Sequence, residues 1–159
     1  MKKPFFEGLS PAEIEDINAE LNHYPDKAAV AIEALKIVQK YRRWVSDDCL
    51  VAVAELLDIS PAQLEAVATF YNLIYRQPVG KTVIHYCNSV TCRMLGGDQV
   101  GESLCRHLNV DLGEMSADGE YTILPIVCLG ACDHAPVVMV GDELKLDIGE
   151  AAVNEIFGR

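Results

Sequence analysis

The sequence predicts an α+β chain in two parts, an N-terminal helical bundle followed by an α/β domain. Three observations lead to this prediction: helical periodicity with capping serines in the first half, a Pro-Gly break in "RQPVGK", and short β-branched or aromatic runs in the second half. With 159 residues, 50% of them hydrophobic, the chain can bury one ordinary core or two small ones. We place the division between residues 1–77 and residues 78–159.

Four helices are predicted in the first part, most of them with a clear start signal. In "SPAEIEDI", Ser10 caps the first helix, Pro11 takes its first position and Glu13 completes a capping box. The segment "SPAQLEAV" repeats this arrangement from Ser60, and Ser46 begins a helix without the reciprocal acid or amide. The predicted helices span residues 11–22, 27–42, 47–57 and 61–75.

Strands and helices alternate in the second part. Strand signals lie in "TVIHY", in "YTILPIV" and on both sides of Gly141-Asp142 in "PVVMVGDELKL", which has the form of a hairpin. Helical stripes are predicted in "GGDQVGESLCRHLN" and near residues 149–157. The resulting order, β-α-β-β-β-α, suits a sheet with helices packed on it, an arrangement of thioredoxin-like kind.

Composition argues against several classes of function. The net charge of −11 disfavours a nucleic-acid partner, because phosphate contacts need clustered Lys and Arg. No apolar run approaches the roughly 20 residues of a membrane-spanning helix, and the first residues lack the apolar stretch of a signal peptide. We therefore expect a cytoplasmic protein, in which paired cysteines more often hold metal or do redox work than form structural disulfides.

Nucleotide-binding motifs are missing from the sequence. The segment "GGDQVG" is not the G-x-G-x-x-G of a dinucleotide-binding turn, and the sequence contains no P-loop. No Ser/His/Asp or paired-carboxylate constellation stands out from the surface charge, so no catalytic residue is predicted. If the chain belongs to a dehydrogenase, another subunit is expected to carry out the hydride chemistry.

Four of the six cysteines form two close pairs. Cys87 and Cys92 lie in "YCNSVTC", while Cys128 and Cys132 lie in "VCLGAC", which gives the spacing C-x4-C-x35-C-x3-C. Each pair is expected on a loop that follows a strand. Such pairing is difficult to explain by core packing, so we interpret the four cysteines as one site.

Three chemistries use paired cysteines. A thioredoxin-like dithiol has two residues between its cysteines, which neither pair has. Structural zinc accepts four thiolates, although a four-residue gap combined with a three-residue gap is unusual for it. A 2Fe-2S centre is well suited, because each iron needs two protein thiolates and two pairs supply them. The spacing favours iron–sulfur and leaves zinc as the alternative.

The other histidines and cysteines are not predicted to be ligands of this site. Four cysteines already complete a site, so His85 and His134 are expected beside it or at the surface. Cys49 and Cys105 have no nearby cysteine and are expected to pack in or near a core.

The sequence resembles the 24-kDa-type (E-type in bacteria) 2Fe-2S subunits of NADH:quinone oxidoreductase, respiratory complex I, in four segments that occur in the same order: "ALKIVQKYRRWV", "VATFYNLIYRQPVG", "YCNSVTCRMLGG" and "LPIVCLGACDHAPVVMV". The resemblance runs from about residue 20 to the C-terminus. It implies a thioredoxin-like 2Fe-2S ferredoxin domain behind the helical bundle. It also implies that the cluster ligands are Cys87, Cys92, Cys128 and Cys132.

The resemblance further implies an electron-transfer subunit without a complete active site of its own. Its cluster would exchange one electron with FMN in the neighbouring subunit, which binds FMN and NADH and oxidises NADH. The complex would hold the chain peripherally on the inner, cytoplasmic face of the membrane. Related subunits occur in NAD-linked hydrogenases and formate dehydrogenases, so these complexes are alternatives, as is a structural zinc-binding assembly module.

The helical bundle is expected to dock on a partner. In "ATFYNLIY", Phe70 is expected in the bundle core, and some of the aromatics Phe70, Tyr71 and Tyr75 are candidates for the docking face. Aromatic side chains are typical of interface centres, which is the reason for this expectation.

Overall fold

The computed structural model describes residues 8–157, without the side chains of residues 150 and 155. The chain divides between Pro78 and Val79 into two compact units, a helical unit and a sheet unit. The elements of the helical unit are α1 (Pro11–Glu20), α2 (Ala31–Arg42), α3 (Asp47–Leu57), α4 (Pro61–Phe70) and the short 3-10 turns Leu21–His23 and Ala28–Val30. Within residues 8–157, no helix combines the length and the apolar character needed to cross a membrane.

The sheet unit follows with strands and helices in the order predicted, apart from one additional helix. Its elements are β1 (Thr82–Cys87), α5 (Val90–Met94), α6 (Gly97–Leu108), β2 (Tyr121–Ile126), a 3-10 turn (Cys132–His134), β3 (Val138–Val140), β4 (Glu143–Lys145) and α7 (Glu150–Ile156). The predicted α+β class is confirmed, because helices come first and a sheet with packed helices follows.

Capping serines begin three helices of the helical unit, as predicted. The Glu13 N–H donates to Ser10 Oγ at 3.3 Å, and the Glu13 carboxylate accepts from the Ser10 N–H at 2.7 Å. Ser60 and Gln63 make the same reciprocal pair, whereas Ser46 caps α3 without one. Local side chains therefore determine where these helices start.

Helix α4 ends at Phe70, five residues before its predicted end. Tyr71 leaves the helical conformation, with φ −90° and ψ 111°. Beyond it, Gln39 Nε2 donates to the Leu73 carbonyl and the Tyr75 N–H donates to Gln39 Oε1, each at 2.7 Å. A side chain from α2 thus binds the backbone that the sequence pattern assigned to helix, and the predicted extension is wrong.

Phe70 does not lie in the bundle core, and that expectation is also wrong. It is 76% exposed, and its ring meets Tyr71 edge-on with 5.2 Å between the ring centroids. Helix α4 buries Leu64 and Ala68 instead. Phe70 follows Ala68 by two positions, which places it on the opposite side of a helix.

An ion pair with a buried carboxylate joins helices α1 and α2 and reaches α3. Glu13, 1% exposed, accepts two hydrogen bonds of 2.6 Å from Nε and Nη2 of Arg42, and Arg42 Nη1 donates to Cys49 Sγ at 3.0 Å. Burial by itself raises the pKa of Glu13, but hydrogen bonds from Arg42 and Ser10 outweigh it and leave that pKa below its usual value. The ionised carboxylate therefore stabilises the bundle.

The sheet has the strand order β2-β1-β3-β4. Strand β1 is central: it pairs parallel with β2, with Cys87 opposite Ile126, and antiparallel with β3. Strands β3 and β4 form the predicted hairpin around Gly141-Asp142. One core cluster joins this sheet to α6 and α7, and its buried members include Ile84, Val100, Leu104, Ile123, Ile148 and Val153.

Replacing Glu13 by Gln should lower the free energy of unfolding of the helical unit by about 2 kcal/mol, because Arg42 loses its buried anionic partner while part of its own charge stays hydrated. Urea unfolding followed by the fluorescence of Trp44, the single tryptophan, measures this change. The matched control is E33Q, which removes the exposed pair with Lys36 and should cost less than about 0.5 kcal/mol.

The E13Q effect should also depend on pH. Because the pKa of Glu13 is lower in the folded than in the unfolded chain, its contribution is complete above the unfolded value of about 4.3 and is lost as pH falls through the folded value. The stability difference between wild type and E13Q should therefore shrink below about pH 4. A difference that stays constant between pH 7 and pH 3 would contradict this assignment.

Candidate metal centre

The sheet brings the two cysteine pairs to one edge. Cys87 is the last residue of β1, and Cys128 follows the end of β2 by two residues. The two strands are parallel neighbours with Cys87 opposite Ile126, so their carboxyl ends lie side by side. Cys92 and Cys128, with 35 residues between them in the sequence, therefore lie in the adjacent segments that follow these two strands.

Cys92 lies in a short helix and not in the loop that was predicted. Helix α5 begins one residue after Ser89, and both Cys92 and Cys87 are only 2% exposed. Sequence periodicity could not identify this helix, because five residues make less than two turns. On the other side of the site, Cys132 begins a 3-10 turn that ends at His134.

The four thiols form two facing pairs. The Sγ atoms of Cys128 and Cys132 are 3.8 Å apart. The thiol of Cys92 interacts directly with that of Cys87, and the thiol of Cys132 interacts electrostatically with Cys87 across the site. Among residues 8–157, no three His, Cys, Asp or Glu side chains form a group that could hold a single metal ion. The four thiols are arranged as two pairs, Cys87 with Cys92 and Cys128 with Cys132.

Hydrogen-bond donors are directed at three of the sulfurs. The donor–acceptor pairs are the backbone N–H of Gly130 with Cys128 Sγ, at 3.4 Å, the backbone N–H of Val137 with Cys92, and the hydroxyl of Thr91 with Cys132. Such donors stabilise negative charge on a sulfur ligand and influence the potential of a redox centre. The site is therefore suited to thiolates.

Burial divides the four thiols into an inner and an outer pair. Cys87 and Cys92 are buried, whereas Cys128 and Cys132 are exposed. Burial, together with the neighbouring Cys87 thiol, raises the pKa of Cys92 to about 11, and the Cys128 thiol raises the pKa of Cys132. Both shifts favour the protonated form of Cys92 and Cys132 when no metal is bound, so metal binding would release protons from them.

Gly97 allows helix α6 to approach the cysteine loops. A Cβ atom at this position would lie 2.8 Å from the carbonyl oxygen of Cys87 and 2.9 Å from that of Cys92. Both contacts are with backbone, which cannot move aside as the end of a flexible side chain can. Any residue larger than glycine at position 97 would therefore displace the helix or the loops.

The two remaining cysteines pack in or near a core, as predicted, whereas His85 is not at the surface, since it is only 2% exposed. Cys49 is buried in the core of the helical unit, and Cys105 is partly buried against the core of the sheet unit. His85 lies inside β1, where burial lowers its pKa. His134 is exposed, and its Nδ1 lies 3.1 Å from Asp147 Oδ2, a contact that sequence reasoning did not anticipate.

Comparison with known proteins indicates one family. Residues 17–159 match the model of the thioredoxin-like [2Fe-2S] ferredoxin family. The chain is 44% identical over 151 residues to the E subunit of NADH-quinone oxidoreductase from Escherichia coli strain K12, covering 95% of this chain and 91% of that one. It is 45% identical over 140 residues to the protein of the same name from Pseudomonas aeruginosa, covering 88% and 84%.

A solved structure with a similar fold is the NAD+-reducing [NiFe]-hydrogenase in the air-oxidized state. The TM-score is 0.66 at 20% sequence identity, and the match covers 80% of this chain but 22% of the hydrogenase chain. At this level of identity the likeness concerns the fold alone.

Replacing Gly97 by Ala should lower the metal content of the purified protein to less than about half, because the new Cβ collides with the backbone of both inner cysteines. Metal analysis per folded chain measures the effect, with circular dichroism to quantify folding.

The matched control is Gly80→Ala, whose Cβ would meet the Tyr121 backbone at 2.6 Å, in the sheet unit but at the opposite end of β1. This variant should lose stability while its folded fraction keeps the wild-type metal content. Equal metal loss per folded chain in both variants would contradict a specific role for Gly97.

Proposed function

Because this chain belongs to the thioredoxin-like [2Fe-2S] ferredoxin family and to the family of NADH-quinone oxidoreductase E subunits, we propose that it transfers electrons through one 2Fe-2S cluster held by Cys87, Cys92, Cys128 and Cys132. These relatives confirm the family that the sequence resembles. The observation that carries the ligand assignment is the convergence of two cysteine pairs at the ends of two parallel strands.

The donor set fits such a cluster in number, pairing and surroundings. Each iron of a 2Fe-2S centre takes two protein thiolates, so the buried Cys87 and Cys92 would hold one iron and the exposed Cys128 and Cys132 the other. When bound, the cluster supplies one-electron redox chemistry. The protein's part is to position the thiolates, to direct N–H and O–H donors at them and to keep water from the inner pair.

The proposed electron partner is the FMN- and NADH-binding subunit of the same complex. This sequence contains no nucleotide-binding motif, so hydride transfer from NADH to FMN would occur in that partner. The chain would then lie on the cytoplasmic face of the membrane, attached through the complex. A role in an NAD-linked hydrogenase is less well supported, because the likeness to the hydrogenase is one of fold at 20% identity, whereas the NADH-quinone oxidoreductase relative is 44% identical.

An apolar surface next to the cysteines is the proposed contact with the flavin-bearing subunit. It consists of Val90, Met94, Leu95 and Val127, all exposed, with Met94 81% exposed. The first three lie in α5 or directly after it, and Val127 precedes Cys128. Exposed apolar side chains grouped in this way are typical of interaction surfaces, and an electron would pass from the cluster to the partner across such a contact.

The helical unit has an exposed apolar group of its own. Phe70, Tyr71 and Leu73 lie at the end of α4 and just beyond it. Their exposure supports the proposal that the bundle contributes to docking, because aromatic side chains commonly form the centres of interfaces.

The cluster is tested by metal and sulfide analysis of anaerobically purified protein and by electron paramagnetic resonance. We expect about two irons and two sulfides per chain, and a spin-one-half signal that appears on reduction with dithionite. Replacing any of the four paired cysteines by Ser should lower the iron content severalfold, whereas Cys105→Ser, in the same unit, should leave it unchanged. Stoichiometric zinc and no signal would overturn the proposal in favour of a structural zinc module.

The docking surface is tested by Met94→Lys. A buried lysine in an apolar contact should weaken binding to the flavin-bearing subunit about tenfold or more, because its charge is desolvated without a partner. Titration calorimetry of the two subunits measures this, after confirming an unchanged iron content. The matched control is Leu144→Lys, an exposed apolar residue in β4, which should bind like wild type. Equal affinities of the two variants would contradict the assignment.

A further inference from the structure

The outer cysteine pair is connected to the core of the sheet unit through a contact outside the ligand set. The turn that begins at Cys132 ends at His134. The His134 carbonyl accepts from the Asp147 N–H at 2.8 Å, and His134 Nδ1 lies 3.1 Å from Asp147 Oδ2. The next residue, Ile148, is buried in the core of the sheet unit. Asp147 thus joins the exposed turn to a buried part of the fold.

The same segment continues to the inner cysteine pair. The Ile148 N–H donates to the Pro136 carbonyl at 2.8 Å. The residue after Pro136, Val137, donates its N–H to the sulfur of Cys92 and accepts from the Cys87 N–H at 3.1 Å. The chain after the outer pair is therefore held between the inner pair and the core.

Cys128 and Cys132 depend on such contacts because they are exposed. Burial and packing fix the positions of Cys87 and Cys92, but the outer pair lies in the segment "CLGAC", with Gly130 at φ +83°. A loop of this kind samples other conformations unless hydrogen bonds at its ends restrict it. The His134–Asp147 pair, defined by its two hydrogen-bonded contacts, lies at one of those ends.

The backbone of Asp147 is itself in the left-handed region, with φ +55°. Glycine adopts this conformation without strain, and Asn or Asp adopts it more readily than other residues. Aspartate at this position adds a carboxylate that reaches His134. Substitutions to Gly and Asn can therefore remove parts of that side chain without introducing backbone strain.

We propose that Asp147 is a positioning residue for the cluster, which acts through His134 to hold the turn that carries Cys132 and so slows the loss of the outer iron. This inference rests on the proposed function, because it requires a cluster on the four cysteines. The hydrogen bond, and not the negative charge alone, has the positioning effect.

Three variants separate the hydrogen bond from the charge. D147G removes both, D147N removes the charge but keeps an oxygen that accepts from the His134 ring, and D142G removes an exposed carboxylate from the β3–β4 turn. The rate at which a chelator bleaches the visible absorption of the oxidised cluster is measured for each. We expect D147G to lose its cluster about three to five times faster than wild type, the range of a single hydrogen bond at an exposed site. D147N and D142G should stay close to the wild-type rate.

A double variant tests whether Asp147 acts through His134. H134A should accelerate cluster loss as much as D147G does. H134A/D147G should lose its cluster no faster than either single variant, because each of them already removes the same contact between the two side chains. The signal shape of the reduced cluster should change in D147G and return to that of wild type in D147N.

Several outcomes would overturn the assignment. These are a wild-type rate in D147G, a rate in D147N equal to that in D147G, or additive effects in the double variant. If the wild-type protein binds a cluster and one of these outcomes is found, only the proposed role of Asp147 is overturned. A wild-type protein without iron would overturn the proposed function together with this inference.

Discussion

The parallel pairing of β1 with β2 is the interaction on which the candidate site depends. It sets Cys87 opposite Ile126 and makes the loops after both strands neighbours. Two thiols on one loop can hold one iron, but a binuclear cluster needs both loops, and their separation of 35 residues makes that meeting entropically costly in an unfolded chain. The sheet therefore has to form before all four ligands come together, and a bound cluster would stabilise the sheet in return.

The inner and the outer cysteine pair are held in position in different ways. The inner pair, of which Cys92 belongs to α5, is buried close to α6, where Gly97 permits backbone contact, so its geometry is determined by burial. The outer pair has little packing and is positioned by hydrogen bonds, among them the contacts of His134 with Asp147. An electron carrier needs both properties, because a rigid, dry interior limits reorganisation while an accessible side lets a partner approach.

The helical unit has its own stability and its own exposed apolar group. Its core depends on the Glu13–Arg42 ion pair as well as on apolar burial, and removal of one partner would leave a charge without compensation. The group of Phe70, Tyr71 and Leu73 is not part of that core. The apolar surface around Met94 belongs to the sheet unit, so each unit presents side chains that a partner in a larger complex could cover.

Local signals in the sequence determined the helix starts at Ser10, Ser46 and Ser60, the hairpin at Gly141-Asp142, the α+β class and the paired cysteines that indicate an iron–sulfur centre. These features depend on residues within a few positions of one another, so the sequence alone predicts them. The end of α4, the exposure of Phe70, helix α5 and the contact of His134 with Asp147 were decided by tertiary structure. At the end of α4, Gln39 is distant in sequence and competes with the local helical preference, and only the folded chain brings it within hydrogen-bonding distance.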